Sequence, residues 1–285
     1  MKFLKTELAP GLYFVGVPIG TARDITLRAL DTLASADLLA AEDTRSLRRL
    51  MEIHGVPLAG RKVLALHDHS GTSVQERLIA AIQEGKSVAY ASEAGMPLIA
   101  DPGFELGRAA AAAGVMMTCA PGPSAVLTAL ALGGLPTDAF FFAGFLPNSK
   151  SARIAALEKL RDVPGTLVFY ESPKRLGAML RDAATALGAE RQAAMCRELT
   201  KKFEEVQRDT LENLAEFYQA KAPKGEVVVL IDRGRSDSVK QVDLETDLQR
   251  ALKELSMRDA VDLVAQAHGL PRRQVYQAAL ALGKD

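Results

Sequence analysis

The chain has 285 residues, 48% of them apolar and 25% charged, which is enough for about two domains and a full core without metal or disulfide staples. Lysine plus arginine equals aspartate plus glutamate, 35 each, so the net charge is zero; this excludes a wholly basic nucleic-acid coat and leaves room for a local basic face. Two cysteines, Cys119 and Cys196, make no disulfide framework and point to a reducing compartment, the cytoplasm, while charges, Gly and Pro interrupt every apolar stretch before membrane-spanning length, and Met1–Lys5 lacks the apolar run of a secretory signal.

Leu12–Val17 is a continuous apolar run, as a strand buried on both faces requires. Asp24 is expected to cap a helix that turns Ile25, Ala29, Leu30 and Leu33 inward. Further strand-like runs are Leu38–Ala41, Val63–Leu66, Val88–Ala91 and Val115–Cys119, with helical patterns over 44–53, 74–84 and 103–113. This alternation predicts a mostly parallel, helix-covered sheet. Pro121-Gly122-Pro123-Ser124 opens a helix over 124–132, and Gly133-Gly134-Leu135-Pro136 breaks the pattern. In the second half, Phe140–Phe142, Thr166–Tyr170, Ala193–Cys196, Phe203–Val206 and Val227–Ile231 read as strands, with helices over 151–161, 174–187 and 211–219. Adjacent runs at 193–199 and 203–208 suggest a hairpin and hence a mixed sheet.

From about 239 there is no strand signal. Ser256-Met257-Arg258-Asp259 resembles a capping box, and the helix after it carries Ala260, Val261, Val264 and Ala265. His268-Gly269-Leu270 is a turn, and Pro271 suits the first position of a last helix. This is helix-turn-helix-like or a small packing subdomain; seven basic against seven acidic residues do not decide between them. The expected division is an α/β domain over 1–120, a second α/β domain over 121–238 and a helical tail over 239–285.

Four loops at predicted strand ends combine Gly, Pro and small polar residues, and open α/β sheets bind ligands at the carboxyl ends of their strands. Val17-Pro18-Ile19-Gly20 lacks the glycine spacing of a dinucleotide fold. Ser92–Gly103 holds two carboxylates and is long enough for a ligand role. Pro121–Ser124 offers free N–H groups to an anion at a helix start, and Gly144–Pro147 opens the second domain. Glu42-Asp43-Thr44-Arg45 follows the second strand; its carboxylates could serve as a base or orient a sugar hydroxyl, or simply cap a helix. His67-Asp68-His69 places two histidines on one side of a strand end, but no third ligand is positioned, so no metal site is expected. Lys150–Arg181 holds seven basic against three acidic residues, and Arg197–Lys202 is a second charged cluster. Either could hold phosphates or form a solvated face.

Taken in order, eleven segments resemble one family: Leu12–Gly20, Asp24–Leu30, Glu42–Arg45, Ala65–His69, Ser92–Gly103, Pro121–Ala125, Gly134–Asp138, Gly144–Pro147, Phe169–Pro173, Arg197–Lys201 and Lys224–Glu226. The chain resembles the ribosomal RNA small subunit methyltransferase I family, ribose 2′-O-methyltransferases within the tetrapyrrole methylase superfamily. The resemblance runs from about residue 10 to 232, and the tail is similar to that family's small C-terminal domain.

The resemblance implies two α/β domains of the tetrapyrrole methylase type (a class III methyltransferase) plus a small helical domain. It also implies S-adenosylmethionine as cofactor, a cytoplasmic homodimer, and methylation of the ribose 2′-hydroxyl of a decoding-centre cytidine in 16S rRNA. Its cofactor-binding positions fall on Pro18, Ile19, Glu93, Met96, Ser124, Ala125, Tyr170 and Gly225. Glu93 and Met96 stand where the family usually has Asp and Thr, so a hydroxyl is lost at 96. A sulfonium brings its own electrophilic methyl group, which leaves the protein to orient the reactants and accept a proton. Glu42, Asp43 and His67 are the base candidates, and Arg45, Lys174, Arg175, Arg197 and Lys201 are candidates to hold RNA. Two rival readings share parts of this pattern: a tetrapyrrole-precursor C-methylase, and a non-enzymatic RNA-binding ribosome factor.

Overall fold

A computed structural model describes residues 3–66, 72–99, 103–233, 237–268, 270 and 272–282. The chain forms two compact units, 1–232 and 233–285. The first half of the larger unit is a parallel sheet of β1 (Gly11–Val15), β2 (Leu38–Ala41), β3 (Val63–Ala65), β4 (Ser87–Ala91) and β5 (Met117–Ala120) in the order β3-β2-β4-β1-β5. Helices α1 (Leu27–Ser35), α2 (Thr44–Ile53), α3 (Thr72–Gln83) and α4 (Phe104–Ala112) lie between the strands in sequence. The two-residue period of β1 explains its apolar run. Tyr13 and Val15 join a core with Leu30, Leu33, Leu47 and Met51, whereas Leu12 and Phe14 join another with Leu78, Ile82, Leu106 and Ala110.

The cap of α1 differs from the sequence reading. Asp24 belongs to a 3₁₀ turn, Ala22–Asp24, and Thr26 is the cap, its hydroxyl accepting from the Ala29 N–H at 3.1 Å. Thr26 has extended backbone angles and stands three residues before its donor, as capping geometry demands.

Helix α5 (Ala125–Gly133) follows, with Ser124 as its cap. Its Val126, Ala129 and Leu130 pack on Val168, Ala194, Cys196 and Leu230 of a second sheet. That sheet contains β6 (Phe140–Phe145), β7 (Thr166–Glu171), β8 (Gln192–Arg197), β9 (Glu205–Thr210) and β10 (Val227–Ile231), ordered β6-β7-β10-β8-β9. β6 and β7 are parallel and the remaining pairs antiparallel, so the sheet is mixed. Helices α6 (Lys150–Glu158), α7 (Leu176–Leu187) and α8 (Leu211–Ala220) contribute Leu157, Met179, Leu180 and Leu214 to the core on the other face. The expected strand at Phe203–Val206 begins two residues late: Phe203 is exposed in the turn, and β9 starts at Glu205.

The smaller unit is helical: α9 (Asp237–Leu252), α10 (Met257–His268) and α11 (Arg272–Leu282). Leu244, Leu248, Val261, Val264, Val275 and Ala279 form its core. The sequence reading missed α9 because Leu244 and Leu248 are a thin apolar stripe in a polar segment. Ser256 caps α10: its hydroxyl accepts from the Asp259 N–H at 3.3 Å and donates to the Asp259 carboxylate at 2.7 Å. Gly269 and Pro271, the predicted turn and helix start, lie outside the described residues.

Candidate active site

The loops that leave β1, β4 and β5 are held against one another. Val17 and Gly95 exchange backbone hydrogen bonds at 2.9 and 3.1 Å. Gly16 touches Gly122 so closely that a Cβ on Gly16 would stand 2.6 Å from the Gly122 nitrogen. The Met96 sulfur accepts from the Gly122 N–H at 3.2 Å and so ties two loops together. At the end of β2, a Glu42 carboxylate oxygen accepts from the Glu93 N–H at 2.9 Å.

The second half supplies the facing wall. Val228 of β10 is in register with Tyr170 of β7 on one side and Cys196 of β8 on the other, so these three form a row across the sheet. The Tyr170 ring meets Phe142 and Phe145 edge-on, with centroids 4.9 and 5.6 Å apart. Arg175 donates to the carbonyls of Leu146 at 2.7 Å and Pro147 at 3.3 Å and to the Asn148 side chain, which holds the loop after β6. Arg153 reinforces it through the Asn148 carbonyl at 3.0 Å and is locked to Asp182 at 2.6 Å in a buried pair.

The Arg197–Lys201 segment turns back on Lys224–Glu226. Glu198 accepts from the Glu226 N–H at 3.0 Å and pairs with Lys201 at 2.9 Å, and Lys201 reaches Glu226 at 2.8 Å. Gly225 has φ +94°, and a Cβ there would stand 2.4 Å from the Glu198 carboxyl, so a side chain at this position is strained and must displace Glu198. The Glu226 N–H, and then Lys201, hold the Glu198 carboxyl below its usual pKa. Burial works against the charge on Lys201, but Glu226 and Glu198 outweigh it and raise its pKa. The Thr200 hydroxyl accepts from the Thr21 N–H at 3.1 Å, joining this segment to the first loop.

Between these loops lies a cavity of about 410 Å³. It gathers seven of the eight residues read as cofactor-binding: Ile19, Glu93, Met96, Ser124, Ala125, Tyr170 and Gly225. Glu42 also lines it. Pro18 does not; it lines a neighbouring hollow of about 440 Å³ together with Arg45, and Glu93 borders both spaces. Burial raises the Tyr170 hydroxyl pKa, with Glu226 adding to the shift, and burial pushes the Cys196 thiol up to about 11.

The other predicted residues lie elsewhere. Asp43 lines neither space: it caps α2, accepting from the N–H groups of Arg45 at 2.7 Å and Ser46 at 3.2 Å, and these bonds lower its pKa. His67 lies outside the described residues. Lys174 is exposed. Arg197 pairs with Glu205 at 2.7 Å across the β8–β9 hairpin, and Arg175 pairs with the buried Glu171 at 3.2 Å. The basic stretch over 150–181 is therefore partly internal, since Arg161 also binds the Ala186 carbonyl at 2.6 and 2.9 Å.

The cavity adds residues that the sequence reading did not single out: Phe145, Glu171, Cys196, Glu226 and Val228. Phe145, Glu171 and Glu226 sat inside motifs already noted. Cys196 and Val228 look like ordinary strand residues, and only strand pairing brings them to the site.

The family described as Tetrapyrrole (Corrin/Porphyrin) Methylases matches residues 11–215, and the RsmI C-terminal HTH domain matches 239–283. The chain is 45% identical to Ribosomal RNA small subunit methyltransferase I of Mesorhizobium japonicum over 276 residues, covering 96% of this chain and 93% of that protein. Among solved structures, diphthine synthase superposes with a TM-score of 0.60 at 20% identity, covering 78% of this chain and 89% of that one. Uroporphyrin-III C-methyl transferase from Thermus thermophilus, complexed with S-adenyl homocysteine, superposes with 0.53 at 19% identity, covering 77% and 96%. These two likenesses concern the fold; the sequence matches carry the assignment. The chain belongs to the tetrapyrrole methylase family and, within it, to the ribosomal RNA small subunit methyltransferase I proteins.

Proposed function

We propose that this protein transfers a methyl group from S-adenosylmethionine to the ribose 2′-hydroxyl of a decoding-centre cytidine in 16S rRNA, working in the cytoplasm as a homodimer. The observation that carries this reading is the convergence of loops from both halves on one cavity with Glu42 and Glu93 on its wall. The lining suits a cationic methyl donor that bears an adenine. Ile19, Ala125, Leu199 and Val228 supply apolar surface, Phe145 and Tyr170 supply aromatic surface that favours a cation, and Glu42, Glu93 and Glu226 supply acceptors. Its volume falls in the range of about 300–1,000 Å³ usual for small-molecule sites.

When bound, S-adenosylmethionine supplies an electrophilic methyl group on sulfur. The residues of the chain do the rest. Glu42 accepts the proton of the ribose hydroxyl, because it lines the cavity while Asp43 is engaged as a helix cap. The Glu93 N–H fixes the Glu42 carboxylate. Arg175 and Arg153 hold the loop that carries Phe145 and so act as positioning residues rather than RNA ligands. Lys174 and Arg45 remain the exposed cations suited to phosphate. Exposed Met117 on edge strand β5, and Phe140 and Phe141 on edge strand β6, offer apolar area for a second copy.

The test is methyl transfer from labelled S-adenosylmethionine to small ribosomal subunits that lack the modification, followed by nucleoside analysis. Label in 2′-O-methylcytidine is the expected result. Cofactor binding without label on rRNA overturns the substrate assignment in favour of a small-molecule methylase. A silent calorimetric titration with cofactor overturns the enzyme reading itself.

A further inference from the structure

We propose that the hollow beside the cofactor cavity is the seat of the RNA nucleotide that presents the reacting ribose, with its base against Leu50 and Ile53 and its flanking phosphates on Arg45 and Arg49. This inference rests on the methyl-transfer reading above and adds the place where the substrate docks.

Three observations lead to it. The hollow, about 440 Å³, matches the cavity in size and shares Glu93 with it. The two spaces meet at Glu93, whose N–H holds the carboxylate of Glu42, the group assigned to take the proton on the cavity side. A ribose at that junction has its hydroxyl beside Glu42 and its base and phosphates in the second space.

The lining is also of the right kind. Positions 45, 49 and 53 recur on one face of α2, while Leu47 and Met51 are buried in the core. That face combines two guanidinium groups with the aliphatic surfaces of Leu50 and Ile53, and Ile53 is half exposed. Pro18 adds a rigid apolar edge. A base turned out of its stack is held between apolar side chains and on guanidinium planes, and its phosphates by cations.

Finally, both cations are accessible. The Arg45 side chain is 91% exposed and stands 3.6 Å from Asp43, too far for a good hydrogen bond. Among the described residues Arg49 pairs with Glu52 on the same helix, an exposed pair of the kind worth little. A phosphate offers either guanidinium a stronger, bidentate partner. The described residues lining the hollow come from the first half of the chain, so it is a separate wall from the one that completes the cofactor cavity.

The experiment compares the full-length protein with an Arg45→Ala/Arg49→Ala double variant. Affinity for a synthetic decoding-centre hairpin RNA is measured by fluorescence anisotropy across a salt series, and cofactor affinity by calorimetry. RNA affinity is expected to fall about tenfold or more, and the slope of log affinity against log salt to shrink by about 1.4, the value for two lost single-strand phosphate contacts. Cofactor affinity stays within about twofold. On the wild-type protein, cross-links from a 4-thiouridine-substituted hairpin are expected within residues 44–53, a readout independent of whether the variant folds. An unchanged RNA affinity and slope, or cross-links confined to other segments, overturns the docking site while rRNA methylation by the wild type still stands. A wild type that methylates no rRNA removes both readings together.

Discussion

A carboxylate oxygen of Glu42 accepts the backbone N–H of Glu93 at 2.9 Å, which joins the end of β2 to the long loop after β4. The bond orients the Glu42 carboxylate at the point where this loop meets the end of β2. The main chain of Glu93 makes this contact, and its side chain is left to line the cavity.

Substitution of Glu42 tests the assigned base. Glu42→Gln keeps an acceptor for the Glu93 N–H and removes the basicity. Turnover should fall about a hundredfold or more, the usual range for a lost general base, with calorimetric cofactor affinity within about threefold. Near-normal turnover with intact binding would remove Glu42 from the chemistry.

Asp43 should behave as a cap. Asp43→Ala is expected to lower stability by about 1 kcal/mol in denaturant unfolding, and Asp43→Asn by less, since asparagine caps almost as well. The folded pKa of Asp43 is depressed, mainly by the Arg45 N–H. Its contribution is therefore complete above the unfolded value of about 3.9 and is lost as pH falls through the folded value. The wild-type and alanine unfolding curves should keep a constant separation from pH 5 to 8 and converge in acid. A turnover loss in Asp43→Asn at unchanged stability would restore Asp43 as a base.

Arg175→Ala separates a loop anchor from an RNA ligand. The change strands the Glu171 carboxylate, whose pKa burial already raises, and frees the loop carrying Phe145. Breaking a buried pair costs about 3 kcal/mol, and cofactor affinity should fall about tenfold. Hairpin RNA affinity should stay within about twofold. A selective loss of RNA affinity would contradict the anchoring role.

Gly225→Ala places a Cβ on the Glu198 carboxyl at a positive φ. The strain should destabilise the protein by about 1–3 kcal/mol. It should also weaken cofactor binding, since the shift of Glu198 disturbs Lys201 and, through it, Glu226 on the cavity wall. A thermal melt and a cofactor titration check both, and unchanged values for the two would show that the loop has room.

Much of the scaffold is legible in local sequence. The run Leu12–Val17 announces a doubly buried strand, and β1 is buried throughout. Helix α2 spans Thr44–Ile53, the stretch its periodicity marks, with Asp43 at its start. Some starts slipped by a few residues: Asp24 is as good a local cap as Thr26 at α1, the apolar Phe203 extends the strand pattern into the turn before Glu205 at β9, and β5 starts at Met117 rather than Val115. Thus capping and alternation identify an element better than they fix its first residue.

The sequence by itself determined the order of elements through the two sheets, the helix-covered parallel sheet, and the Gly- and Pro-rich loops at strand ends, because these follow from periodicity and backbone chemistry over a few residues. The tertiary structure decided which charged groups are spent. Arg153, Arg161, Arg175 and Arg197 lie in the charged stretches that could hold phosphates, yet each donates to a carbonyl or carboxylate far away in sequence. It also assembled the row of Tyr170, Val228 and Cys196 on the cavity wall, through strand pairings no local pattern specifies. The physical reason is the same in both cases. Local geometry sets which way a residue faces, but its partner depends on strand order and loop packing, fixed only when the whole core closes.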